Sequence, residues 1–189
     1  MLYYNIFNGG HMNTKNLKNA CRIGEFSRNL TEIKKNLNFK KDDSLSRFDF
    51  KKNEARVYFI VVNDEVVKIG GSNAKGGIYG TISPYCSGNG GRPSDRTFGV
   101  NYLIEQELIK GSKVELYAQW MPSITASVPS LTGNKKISVS FSYKEMEEAC
   151  VREYLALNNG AHPVWNFQEA GRPWPKEIQE GRRKLLEGK

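Results

Sequence analysis

Histidine is nearly absent from this chain: among 189 residues only His11 and His162 carry an imidazole. That argues against histidine-based nucleases, histidine-ligated zinc and a Ser-His-Asp triad. Cysteine is scarce too. Cys21, Cys86 and Cys150 are odd in number, widely spaced and free of any Cys-x-x-Cys pair. They suggest neither a disulfide framework nor a zinc site and fit a reducing cytoplasm. No apolar run reaches membrane-spanning length, and the apolar start, residues 1–7, has no basic n-region or cleavage pattern, so no signal peptide is expected. Met12, after Gly-Gly-His, is a candidate start of the natural chain. The Gly-rich stretch 70–77 lacks the Gly-Lys-Ser/Thr ending of a nucleotide-binding loop. No internal repeat is present. Whatever chemistry the chain performs must use carboxylate, Tyr, Lys and Arg.

What is present is an apolar fraction of 39%, enough for one ordinary domain with extensions, and a net charge of +8. The charge is uneven. Residues 1–56 hold 12 Lys or Arg against 6 acids and residues 171–189 hold 6 against 3, leaving 10 against 11 in between. Basic flanks around a neutral middle suit an electrostatic grip on a polyanion, although solubilising charge gives the same excess.

In residues 13–52, Phe26, Leu30, Ile33 and Leu37 recur at helical spacing with Arg28, Lys34 and Lys35 off the stripe, which predicts a basic amphipathic helix. Two runs of β-branched and aromatic residues, 57–62 and 66–69, flank the polar turn Asn63-Asp64-Glu65 and predict a β-hairpin. Tyr58 and Lys68 stand out in it as long polar side chains among apolar neighbours. Core packing of Tyr58 and snorkelling of Lys68 would explain them equally simply. Residues 78–85 read as a short apolar-alternating piece ending at Pro84, and 86–97 as a loop containing Arg92 and Arg96. Val100, Leu103, Ile104 and Leu108 predict a helix stopped by Gly111. Residues 113–120 alternate as a strand, 121–136 read as a surface excursion, and Ile137, Val139 and Phe141 predict another strand. Ser142-x-x-Glu145 is a capping box that opens a helix through Leu157. On it Glu148 lies off the stripe of Met146, Cys150 and Leu157, which a surface pair with Arg152 would explain. Residues 171–189 predict a short basic helix entered through Pro173 and Pro175. The whole is a small α+β arrangement with a central antiparallel sheet flanked by helices. It divides into a basic helical extension, 1–52, a core, 53–170, and a basic tail, 171–189.

These residues carry a resemblance. Val57-Tyr58-Phe59, ten residues before Lys68-Ile69-Gly70, resembles the paired signature of the GIY-YIG nuclease superfamily. Lys68 in place of the second tyrosine resembles its small type II restriction branch, and residues 111–118 resemble a strand of the phage endonuclease II group. Glu148 stands where the superfamily keeps a metal-binding glutamate, and Trp165-Asn166 resembles its terminal asparagine motif. Tyr85 matches a further tyrosine. The arginine normally four residues before it is replaced here by Thr81, so Arg92 or Arg96 would have to substitute. The resemblance implies a metal-dependent, site-specific endonuclease acting on double-stranded DNA, without a membrane, and a homodimer if both strands of a palindrome are cut. It further implies Mg²⁺ (or Mn²⁺) held by Glu148 and Tyr58 or Tyr85 orienting or deprotonating water beside Lys68. Arg92 or Arg96 would steady the phosphate, Asn166 would brace the site, and Lys75 would contact DNA. The competing expectations are a DNA-binding protein on a disabled scaffold and a non-catalytic interaction domain.

Overall fold

The computed structural model describes residues 12–31, 35–88, 90–121 and 123–188. Its centre is the expected hairpin. β3 (Arg56–Val62) and β4 (Glu65–Ser72) pair antiparallel around a two-residue turn, Asn63-Asp64, in which both residues adopt left-handed φ, 46° and 69°. Asn and Asp tolerate that conformation, and it matches the right-handed twist of the strands. β5 (Val114–Trp120) pairs with β3 on its other side.

The N-terminal region corrects the helical reading. β1 (Cys21–Arg28) and β2 (Leu37–Lys41) complete a five-stranded antiparallel sheet of order β2-β1-β5-β3-β4. Phe26 and Leu37 are buried as expected, but as neighbours on adjacent strands, with Phe26 opposite Phe39. Leu30, needed for the helical stripe, is 79% exposed near the connection; Ile33 and Lys34, like His11, lie outside the described residues. The apolar flank of β5 needs a paired strand more than residues 13–52 need a helix, so ladder pairing overrides local spacing.

The sheet buries both faces. Tyr58, Ile60 and Val62 point to one side, toward α2 (Gly77–Cys86), α3 (Asp95–Ile109) and α5 (Lys176–Glu187). Val57, Phe59 and Val61 point to the other, toward α4 (Tyr143–Leu157) and Met12 and Leu17. A short α1 (Arg47–Lys51) precedes β3. Residues 78–85 are helical instead of extended, because Ile78, Ile82, Tyr85 and Cys86 at i, i+4, i+7 and i+8 form one buried stripe. The excursion after β5 is itself a hairpin, β6 (Ile124–Ser130) with β7 (Gly133–Val139), whose second strand is exposed throughout. The C-terminal helix is docked onto the core: Ile178 and Trp174 are buried, and Arg182 bonds the Pro93 carbonyl at 2.9 Å and pairs with Asp95 at 3.1 Å. Leu157, expected in the α4 stripe, is exposed, and Tyr154 takes the buried place. No helix among the described residues is long and apolar enough to cross a membrane.

Candidate functional site

The site forms at the outer edge of β4, where the two halves of the signature meet. Tyr58, on β3, lies opposite Gly70 on β4, and Lys68 lies opposite Ile60 two positions earlier. Tyr58 and Lys68 therefore share one face of the sheet. Gly70 is required by that geometry, since a Cβ there would collide with the Tyr58 ring and hydroxyl. Tyr85 comes from the last turn of α2, and its hydroxyl is 2.7 Å from that of Tyr58. Burial raises both phenols above their ordinary pKa, Tyr58 well above it, while the Arg96 guanidinium pulls both down. Two neutral hydroxyls in mutual contact therefore lie buried beneath the cluster.

Lys68 is 1% exposed. Burial lowers its pKa, and the nearby Glu169 carboxylate acts in the opposite direction, with Lys68 Nζ 3.8 Å from Glu169 Oε1. Arg96 lies in the first turn of α3 behind the N-cap Ser94, whose hydroxyl accepts from Thr97 N at 3.1 Å. Its guanidinium reaches Glu169 Oε1 at 3.2 Å and Gln168 Oε1 at 3.2 Å. The bonds of Arg182 to Pro93 and Asp95 fix α5 against the loop that delivers Arg96.

The carboxylate of α4 that faces this cluster is Glu147, one residue before the expected Glu148. Glu147 shares the inward stripe with Tyr143, Cys150, Val151 and Tyr154, at i−4, i+3, i+4 and i+7, whereas Glu148 is exposed beside Lys144 and Arg152. A helix turns about 100° per residue, so of two adjacent glutamates one faces the cluster and the other faces solvent. Gly71 makes the approach possible: a Cβ there would stand 2.7 Å from Glu147 Oε2 and 2.6 Å from the Tyr143 ring. The Gly71 amide donates to Glu147. Burial raises the Glu147 pKa, Glu169 raises it further, and Lys68 and Arg96 oppose both. The Gly70-Gly71 pair thus admits a tyrosine on one face of the edge strand and a glutamate from the other.

Asn166 is fully buried and works on the backbone. Its side-chain oxygen accepts from Ile69 N at 3.0 Å and its amide donates to Ile69 O at 2.9 Å, pairing the free edge of β4 between Lys68 and Gly70. Trp165 N donates to Val67 O at 2.9 Å beside it. The chain is thereby clamped so that Gln168 reaches Arg96 and Glu169 reaches both Arg96 and Lys68.

Two expected residues are elsewhere. Arg92 and Lys75 are exposed in loops, with no bond to the cluster. Thr81, which takes the expected arginine's place, is joined to an arginine that sequence reasoning passed over. Arg56 is fully buried, and its guanidinium donates to Thr81 Oγ1 at 3.1 Å and to the carbonyls of Lys52, Glu54 and Ala74 at 3.2, 2.8 and 2.6 Å. Those carbonyls hold the loop after β4 against β3. Arg56 is therefore a structural cation, and the charge acting on the tyrosines and Lys68 is that of Arg96. Glu147, Glu169 and Arg56 are the residues missed; the i−4 and i+3 relation of Glu147 to Tyr143 and Cys150 was the available signal for the first.

A divalent cation fits this donor set in one way. Among the described residues no group of three His, Cys, Asp or Glu side chains is placed to cage a metal. Mg²⁺, however, commonly keeps waters and takes one or two carboxylates together with substrate phosphate oxygens. Glu147 offers such a carboxylate, half-buried, with its negative charge penalised by burial and by Glu169. A second charged cluster, Arg22 with Glu25, Asp42 and Glu115, lies toward the opposite edge of the sheet, where Arg22, Glu25 and Asp42 line a small concavity, but there Arg22 is paired with all three carboxylates.

No family model matches the chain, and no curated protein matches it. Among solved structures, a mutant of EndoII from bacteriophage T4 is similar with a TM-score of 0.46 at 21% identity, covering 83% of this chain and 98% of that one. The restriction endonuclease HPY188I in complex with product DNA is similar with a TM-score of 0.44 at 24% identity, covering 82% of this chain and 85% of the other.

Proposed function

We propose that this chain is a divalent-metal-dependent DNA endonuclease of the GIY-YIG kind that hydrolyses phosphodiester bonds at particular sites in duplex DNA. The observation that carries the reading is the convergence of the Tyr58–Tyr85 hydroxyl pair, Lys68, Arg96 and Glu147 on one edge of the sheet. Phosphodiester hydrolysis needs an oriented water, positive charge for the phosphate oxygens, and a carboxylate for a metal. Each part is present without a histidine. Cutting both strands of a palindrome would require two copies of the chain.

In this mechanism Tyr58 accepts a hydrogen bond from the attacking water while its own proton is held toward Tyr85. Both phenols are kept neutral by burial, so orientation of the water suits them better than its outright deprotonation. Arg96 grips non-bridging oxygens, which a planar guanidinium does bidentately. Lys68 adds a point charge from the pocket wall. Glu147 and phosphate oxygens would hold Mg²⁺ or Mn²⁺, which when bound supplies charge for the leaving oxygen. Asn166 keeps Lys68 and Gly70 in register.

The replacement of the expected arginine by Thr81 favours a disabled scaffold only if no other cation serves the pocket. The test is therefore Arg96→Ala against Arg92→Ala. Plasmid cleavage is expected to fall ~10²–10³-fold in the first, the loss typical of one preorganised donor, and to stay within about twofold of wild type in the second. Equal loss in both would remove the assignment.

The depressed pKa of Lys68 also predicts a pH profile. The ammonium is required, so kcat/KM falls as pH rises through a value below that of an ordinary lysine, about 10.4. A profile flat to pH 10.5 would show that Lys68 is not titrating in the reaction.

A further inference from the structure

We propose that Glu169 is a displaceable counter-ion that occupies the phosphate position of the free protein and must leave it when DNA binds. The proposal rests on the nuclease reading. One oxygen of Glu169 is shared between Arg96, at 3.2 Å, and Lys68, at 3.8 Å. These are the two cations assigned to the phosphate, and one carboxylate oxygen placed between both is where a non-bridging oxygen would lie. The bonding is incomplete on both sides. Arg96 meets Glu169 through one terminal nitrogen only, its Nε being given to Gln168 Oε1 at 3.2 Å, although its fork matches two oxygens of one anion, and the Lys68 contact is at the long limit of an ion pair. Glu169 also faces a like charge, the Glu147 carboxylate. A phosphodiester would offer the two cations two oxygens at once.

The segment carrying Glu169 is built to present it and to let it move. Behind it, Asn166 and Trp165 are fixed to β4 by three bonds to Val67 and Ile69. Ahead, the chain turns at Gly171, where φ is 64°. The carboxylate is still partly open to solvent, at 22% exposure, so it can swing out by side-chain rotation alone. Without an anion the buried Lys68 would be left unpaired, which is costly. Glu169 supplies that anion in the absence of DNA, and the cost of displacing it is subtracted from the binding of every substrate.

The experiment measures the Kd of a short duplex without divalent metal, and kcat and KM with Mg²⁺, for wild type, Glu169→Gln and Glu169→Asp. In Glu169→Gln, Kd and KM should each fall by about three- to fivefold, the worth of a partly exposed ion pair, with kcat unchanged. Glu169→Asp keeps the charge on a side chain too short to serve both cations, and should fall in between. Thermal melting confirms that the variants are folded. An unchanged or raised Kd, or a fall in kcat, would overturn the proposal and make Glu169 a strut that holds Lys68 and Arg96 in place. Failure of the nuclease reading looks different: wild type and variants leave the plasmid uncut. Tighter binding by Glu169→Gln in that case still supports the counter-ion, whereas no salt-sensitive DNA binding by wild type overturns both.

Discussion

Glu147→Gln should abolish cleavage while leaving DNA binding near wild type, and Glu148→Gln should leave both near wild type. The amide keeps the shape of Glu147 and can still accept from the Gly71 amide, so the fold is expected to stand. What it removes is the charged ligand. Charge stabilisation by a bound metal is worth several kcal/mol, and at 1.36 kcal/mol per decade a loss of about 10³-fold follows. Binding should hold because Lys68 and Arg96 remain to meet the incoming phosphate. Single-turnover cleavage and fluorescence anisotropy on the same duplex separate the two quantities. Cleavage lost in Glu148→Gln and kept in Glu147→Gln would mean that α4 is rotated by one residue from the register described.

The second large effect is expected at the tyrosine pair. Tyr58→Phe removes one oxygen and should lower kcat by ~10²–10³-fold, the range for losing one preorganised hydrogen-bonding group. The stability cost is separable. Tyr85 would lose its 2.7 Å partner in a buried site, and an orphaned hydroxyl costs about 1–3 kcal/mol. Tyr85→Phe should show a similar stability loss with a smaller effect on kcat, because Tyr58 stays in place to meet the water. Chemical denaturation beside kinetics distinguishes the cases. If Tyr58→Phe loses stability alone, the hydroxyl is a packing feature and the water must be held elsewhere.

The site was legible where chemistry constrains local sequence. Tyr58, Lys68 and the glycine pair announce themselves because a strand that must pass a tyrosine on one face and a carboxylate on the other has no room for Cβ atoms at 70 and 71. Asn166 was read only through the resemblance of Trp165-Asn166 to a terminal asparagine motif, and its pairing of the β4 edge had no local signal. The fold was readable in its centre, because β3 and β5 alternate or run apolar over full strand lengths. Its N-terminal strands were not, since Phe26 and Leu37, the two ends of the 3.6-spaced set, stand on two different strands, β1 and β2, which spacing cannot distinguish from one helix. Part of the basic surplus of residues 1–56 has partners within the fold: Arg22 meets Asp42, Glu25 and Glu115, and Arg56 meets backbone carbonyls. Glu147 and Glu169 were beyond local reading. Which of two adjacent glutamates faces inward depends on how α4 sits on β4, and Glu169 meets its cations only after residues 165–166 dock on the sheet edge.

The docked state of the flanks also changes what truncation tests. Removing residues 1–50 would strip β1 and β2 from β5 and expose Leu116 and Val114, so a loss of DNA affinity would report unfolding before it reported electrostatics.

The most direct test of the central claim is incubation of supercoiled plasmid with the intact chain, in Mg²⁺ and in excess chelator, followed by electrophoresis. Conversion to nicked or linear DNA in Mg²⁺ and none in chelator is the predicted result. Plasmid left supercoiled in Mg²⁺, under conditions where the chain binds DNA and Arg96 and Glu147 are intact, would contradict it.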